Sequence, residues 1–432
     1  MRVLMFGWEF PPHISGGLGT ASFGLTKGMS TLDDLKVIFV VPKAWGDEDQ
    51  TMVRVIGANK VSVAYKQVYY QGFRYPLDKI EVSSKIVPYT DPEDFWKILS
   101  SEVSGYNLMV HTNKKGLVEF SGKYDNSLMD EIYKYAVVAS VIAEENEFDI
   151  IHAHDWLAYP AGIAAMEVSG KPLVIHVHAT DFDRSGGNVN PDVYRIEKSG
   201  MDAASKIITV SNMTRDIVIN KYNINPDKVE TVYNAVEPVQ ICENKINRKG
   251  FEEKVVTFLG RITLQKGPEY FIEAAYKVLQ VMHNVRFVMA GSGDMMERMM
   301  RRAAALKITD RFHFTGFLKG ADVFTMLDMS DVYIMPSVSE PFGISPLEAM
   351  QSNVPVIISK QSGVAEILTH AVKTDFWDID AMADAIYGIL NYPALSHMFI
   401  KNGKEEVIRL KWDNSARHVR DIYYRVIEDN KK

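Results

Sequence analysis

The chain has 432 residues, 47% hydrophobic and 24% charged, with a formal net charge of −7. That is more chain than one hydrophobic core organises, so two domains of roughly 200 residues each are expected. The acidic balance argues against a nucleic-acid partner, which needs a basic face. No run approaches the about 18 apolar residues of a membrane span. The single cysteine, Cys242, rules out an intrachain disulfide. With no export signal in MRVLMFGWEF, it suits a reducing, cytoplasmic setting.

In chain order, RVLMFG (2–7) reads as a first strand, a Pro/Gly-rich loop follows, and a helix begins near Gly19. KVIFVV (36–41) is the next strand. From Lys43 to Asp125 the rhythm changes to Tyr, Val and polar residues, as in VSVAYKQVYYQGFRY, and an insertion with some antiparallel strand is expected there. A helical pattern covers 130–145. DIIH (149–152), KPLVIHVH (171–178), KIITV (206–210) and KVETVY (228–233) are short, nearly continuous apolar runs. Strands buried on both faces have this signature, so a parallel sheet covered by helices is inferred.

The pattern lapses over the polar EPVQICENKINRKGFEEK (237–254), which reads as a linker. It then restarts with VVTFL, VRFVMA, Arg311–Thr315, VYIMP (332–336) and VPVIIS (354–359). The division expected is therefore 1–237 with the insertion at 43–125, a linker at 238–254, a second doubly wound domain at 255–412 and a C-terminal helix at 413–432. Open parallel sheets bind ligands at the carboxyl ends of their strands, and two such domains leave a cleft between them.

The unusual residues fall on the loops that would line that cleft. WEFPPHISGGLGTA places Gly16, Gly17 and Gly19 before a helix N-terminus, which suits an anion but equally a flexible turn. GRITLQKGPEY carries Arg261 and Lys266 on one strand–helix loop, a planar fork and a mobile point charge that together suit a diphosphate. In SEPFGISPLEAM, Ser345 with Glu348 three residues on has capping-box spacing. Glu340, outside the helix, is expected to open onto the cleft and to accept hydrogen bonds from sugar hydroxyls. His152/His154 and His176/His178 are i, i+2 pairs, each on one strand face, compatible with metal binding. The sequence specifies no third ligand, so His152 and His176 are expected within the sheet and His154 and His178 at the cleft, with Asp155 and Asp181 beside them.

With these residues assembled, the chain resembles the retaining glycosyltransferases of the GT-B architecture, two Rossmann-like doubly wound domains facing a central cleft. SEPFGISPLEAM is similar to the E-x7-E motif of glycosyltransferase family 4, GRITLQKG to its donor-phosphate loop and VYNAV to its pre-linker signature. IHAHDWLA, VHATDFDR and SGGLG resemble glycogen and starch synthases. The resemblance implies that Arg261 and Lys266 neutralise the leaving diphosphate and that Glu348 binds ribose. Glu340 with Phe342, Gly343 and Ile344 would hold the donor sugar. Gly16 and Gly17 would approach the diphosphate, His178 would lie by the anomeric centre, and Phe317 and Leu318 would flank the base. His154, Asp155 and Asp181 are candidates for the acceptor side.

It further implies glucosyl transfer from UDP- or ADP-glucose to an α-glucan, with no metal and no cofactor beyond the nucleotide-sugar. Alternatives are a family 4 enzyme with another glycan acceptor, a small sugar or lipid-linked, and a non-catalytic nucleotide-sugar-binding protein. Bacterial glycogen synthases carry lysine where this chain has Ile14 and usually lack a glutamate at the position of Glu348. The donor base and the oligomeric state stay open.

Overall fold

A computed structural model describes residues 1–14, 16–63, 67–70, 73–76, 116–122, 128–238 and 251–431. Two parallel sheets dominate it. The first runs β3-β2-β1-β6-β7-β8-β9, with β1 Arg2–Phe6, β2 Lys36–Val41, β3 Arg54–Gly57, β6 Ile150–His154, β7 Leu173–Val177, β8 Lys206–Thr209 and β9 Val229–Thr231. The antiparallel pair β4 Gln67–Tyr70 and β5 Phe73–Pro76 lies in the stretch expected as an insertion. The second sheet runs β12-β11-β10-β13-β14-β15, with β10 Lys254–Leu259, β11 Val285–Ala290, β12 Phe312–Gly316, β13 Val332–Met335, β14 Val356–Ser359 and β15 Val372–Thr374. That order places the first strand of the domain centrally and reverses between β10 and β13, the arrangement that opens a crevice at the strand ends.

Alternation explains why these strands lack polar faces. Along β1, Leu4 and Phe6 enter one apolar cluster while Val3 and Met5 enter another on the opposite face. Along β13, Val332 and Ile334 face one cluster, and Tyr333 and Met335 the other. These central strands are therefore packed against apolar clusters on both faces.

Two strands depart from the sequence reading. Arg54–Gly57 pairs in parallel with β2 and belongs to the first sheet, although it falls inside the 43–125 stretch. Val372–Thr374 adds an edge to the second sheet. Residues 77–115, a large part of the 43–125 reading, and most of the 238–254 linker with Cys242 lie outside the described residues. Among the described residues no helix is long and apolar enough to cross a membrane.

The C-terminal helix, Trp412–Asp429, packs on the first sheet rather than the second. Trp412, Ala416, Val419, Ile422, Tyr423 and Val426 join Val3, Met5, Leu25 and Met29 in one cluster. A glycine permits the closest approach. A Cβ at Gly24, within the Gly17–Ser30 helix, would lie 2.3 Å from the Trp412 ring.

Candidate active site

The loops after β10 and β13 flank the reversal point of the second sheet, and they are bound to each other. Val338 N–H donates to the Gln265 carbonyl at 2.9 Å. Gly267, at φ 64°, lets the turn pass the Pro336 carbonyl, where a Cβ would lie 2.1 Å from the oxygen. This approach aligns the Lys266 ammonium with the Glu340 carboxylate in an ion pair, and Ser337 Oγ donates to the same carboxylate at 3.3 Å. Glu340 is 7% exposed. The expectation of a carboxylate open to the cleft is thus corrected: its Lys266 and Ser337 partners allow it to be buried charged. Arg261, on the same loop as Lys266, is exposed and forms no ion pair among the described residues.

The capping box also fails. The helix Ser345–Gln351 has Ile344 as its N-cap, so Glu348 falls one position too late. Glu348 N–H bonds the Ile344 carbonyl at 3.2 Å, while Ser345 Oγ accepts from the Tyr333 hydroxyl at 2.9 Å. With no partner for its carboxylate among the described residues, Glu348 is half-buried in the first helical turn, and desolvation pushes its pKa up to about 7. Phe342 is buried and Gly343 adopts φ 98°. Ile344 packs against the apolar clusters of both sheets. Phe317, just past β12, is 51% exposed with Lys319 Nζ over its ring, and Leu318 is half-buried.

Facing these loops is the reversal point of the first sheet, between β1 and β6. Gly16 caps the Gly17–Ser30 helix, and a Cβ on Gly16 or Gly17 would meet nothing within 4 Å. Among the described residues no neighbour requires glycine at these two positions, so the start of that helix is uncrowded there.

The histidines sit at the carboxyl ends of β6 and β7: His152 and His154 within β6, His176 within β7 and His178 just past it. His152, His154 and His176 are buried and His178 is half-buried; their rings stack with centroids 4.3–5.5 Å apart. His154 therefore does not reach the cleft as expected. It lies under His178, Nδ1 to Nε2 at 2.9 Å. Burial holds His152, His154 and His176 well below the usual histidine range, and pushes His178 down to about 3, with the Arg184 cation adding to it. All four are neutral imidazoles. His152 Nδ1 bonds the Tyr423 hydroxyl of the C-terminal helix.

Asp155 and Asp181 are also buried instead of lining the cleft. The reason is Arg184, to which the sequence reading assigned nothing. Arg184 donates to Asp155 Oδ2 at 2.8 Å and to Glu197 Oε1 at 3.1 Å, and Asp181 Oδ2 accepts from Asn190 N–H at 2.6 Å. The cation neutralises a carboxylate cluster that burial would otherwise forbid. The run DFDR, a cation directly after two alternating aspartates, was the available signal.

Among the polar contacts that join the halves are two made by side-chain carboxylates. Ser339 Oγ donates to Asp183 Oδ1 at 2.6 Å. Glu366, in the short helix Val364–Ile367, accepts from the Asn212 and Met213 N–H groups at 2.9 and 2.8 Å and from the Tyr233 hydroxyl at 2.9 Å. Glu366 thus sits on the N-terminus of the helix Asn212–Tyr222. Neither contact was read from the sequence, because each pair is joined only by the fold.

Residues 242–406 match the family model for glycosyl transferases group 1, and residues 123–240 match that for glycosyltransferase family 4. An uncharacterized glycosyltransferase of Methanocaldococcus jannaschii is 32% identical, covering 98% of each chain. A glycogen synthase of Mycobacterium tuberculosis is 22% identical over 98% of this chain and 94% of its own. Among solved structures, the sucrose-phosphate synthase of Thermosynechococcus elongatus superposes with TM-score 0.71 at 16% identity, covering 99% of both chains. HepE of Anabaena, solved with UDP-glucose, gives 0.68 at 15%, covering 98% of this chain and 99% of that one.

Proposed function

The chain belongs to the glycosyltransferases and has their GT-B fold, and from that premise we propose that it moves glucose from UDP- or ADP-glucose to an α-glucan with retention at the anomeric carbon. The observation that carries this reading is the pairing of Lys266 with Glu340 at the reversal point of the second sheet, beside Arg261 and Glu348, neither of which is paired among the described residues. A nucleotide diphosphate needs cations at one end and a hydroxyl acceptor at the other, and these loops supply both.

In this reading Arg261 and Lys266 stabilise charge building on the departing phosphate. Glu348 accepts from the ribose hydroxyls, and Glu340, with the backbone at Phe342, Gly343 and Ile344, holds the hexose. Phe317 and Leu318 flank the base. The open N-terminus at Gly16 and Gly17 receives the diphosphate from the opposite side, and His178 lies by the anomeric centre. An acceptor oxygen attacks C1 on the face the phosphate leaves, the C1–O bond to phosphate breaks, and the acceptor proton passes to the departing phosphate oxygen. No metal is needed for that step, because the cations and helix N-terminus supply the charge stabilisation. The M. tuberculosis glycogen synthase, related over nearly the full chain, supports the glucan acceptor, and the UDP-glucose bound by HepE supports the donor.

A second reading keeps the donor site and changes the acceptor to another glycan. Ile14 and Glu348, where bacterial glycogen synthases differ, favour it. The deciding experiment offers ADP-glucose, UDP-glucose and GDP-mannose with and without glycogen or maltooligosaccharide. Glycogen-dependent release of ADP or UDP is expected. Donor binding without transfer to glucan moves the acceptor to the second reading.

A further inference from the structure

We propose that His152, His154 and His176 form a buried binding site for one divalent transition-metal ion of the zinc class. The parallel register sets His154 directly beside His176 on the neighbouring strand, with His152 two residues below on the same face of β6. One candidate ligand atom from each of the three lies within 4.8 Å of those of the other two. The sequence offered two His-x-His pairs, each one ligand short; pairing of β6 with β7 brings His176 to the first.

The unpartnered atoms point the same way. His152 Nε2, His154 Nε2 and both ring nitrogens of His176 are buried without a hydrogen-bond partner among the described residues. Buried polar atoms are nearly always satisfied, so four orphans in one cluster require an occupant. The remaining nitrogens are already held: His152 Nδ1 by the Tyr423 hydroxyl and His154 Nδ1 by His178 Nε2. In metal sites the far nitrogen of a ligating imidazole is commonly anchored in this way, leaving the near one for the ion; here His152 and His154 are so anchored and His176 is not. An all-imidazole donor set suits zinc, cobalt, nickel or copper, and disfavours magnesium and calcium, which take oxygen.

The rings lie within 22° of parallel, so ligation requires them to rotate about their terminal torsions until the lone pairs converge at about 2.0–2.1 Å from the ion. The strands hold the Cα positions meanwhile. The three ligands lie beneath His178 and beside the C-terminal helix, so an ion held there would fix the rings without entering the transfer step.

The test uses the full chain, incubated with excess Co²⁺ or Zn²⁺ and desalted. Elemental analysis is expected to find about one ion per chain in the wild type and at least tenfold less in His176→Leu, whose apolar side chain keeps the core filled. His283→Gln, at an exposed histidine, is expected to retain the ion. Zn²⁺ is expected to raise the melting temperature of the wild type and leave that of His176→Leu unchanged. Wild type retaining no more ion than His176→Leu, or losing it in His283→Gln, overturns the proposal. If His176→Leu does not fold, the visible spectrum of the Co²⁺-loaded wild type decides. Intense bands of low-coordinate cobalt support the site, and the weak spectrum of the hydrated ion overturns it.

Discussion

Glu348 and Glu340 are eight residues apart and differ in almost every physical respect. Glu340 is buried and paired; Glu348 is half-buried, unpaired among the described residues and has its pKa pushed up to about 7 by desolvation. A carboxyl whose folded pKa is raised to about 7 binds more protons in the native state than in the unfolded one between its ordinary value of 4.5 and 7. Stability should therefore fall as pH rises through that window. Donor affinity should move the other way, because ribose hydroxyls donate best to the ionised carboxylate. Glu348→Gln should flatten both profiles and weaken the donor by about tenfold or more, measurable by calorimetric titration and melting curves from pH 5 to about 8. The two cations separate in the same manner. Arg261→Ala, at an exposed and unpaired residue, should lower turnover by about a hundredfold while leaving the melting temperature nearly unchanged. Lys266→Ala should lower turnover comparably and destabilise by about 3–5 kcal/mol, because it strands the buried Glu340. The double variant Lys266→Met/Glu340→Gln should recover stability and not turnover, as read by denaturant titration beside initial rates.

At the scale of elements, the contact most open to test is Glu366 on the helix Asn212–Tyr222. A carboxylate at a helix N-terminus stabilises by about 0.3–2 kcal/mol, more when partly buried. Removing it by Glu366→Ala should loosen the joint between the halves and raise the radius of gyration in small-angle scattering. An unchanged scattering profile would show that other contacts hold the halves together. How the elements were legible follows from their chemistry. VRFVMA and KVIFVV announce themselves because both faces are buried. RVIG and VKT, short edge strands in polar surroundings, carry too few apolar residues to stand out. The loops could be read as ligand-binding from strand ends, glycines and cations. Burial of Glu340 could not, since Lys266 is 74 residues away. Nor could the failed capping box, because Tyr333 takes Ser345 and helix entry shifts to Ile344.

For the molecule as a whole, the C-terminal helix makes the first sheet depend on residues beyond the second. Trp412→Ala empties the notch beside Gly24 and should cost about 3–5 kcal/mol. The loss should be local: native-state hydrogen exchange should quicken in β1 and β2 while β10 and β13 keep their protection. The same packing dictates an order of events during synthesis. The ribosome makes β1, β2 and the Gly17–Ser30 helix first, and their apolar face waits through production of the whole second sheet before Trp412 and Tyr423 emerge to cover it. The nascent first domain thus carries an exposed greasy surface for most of translation, a surface on which chaperones would dock.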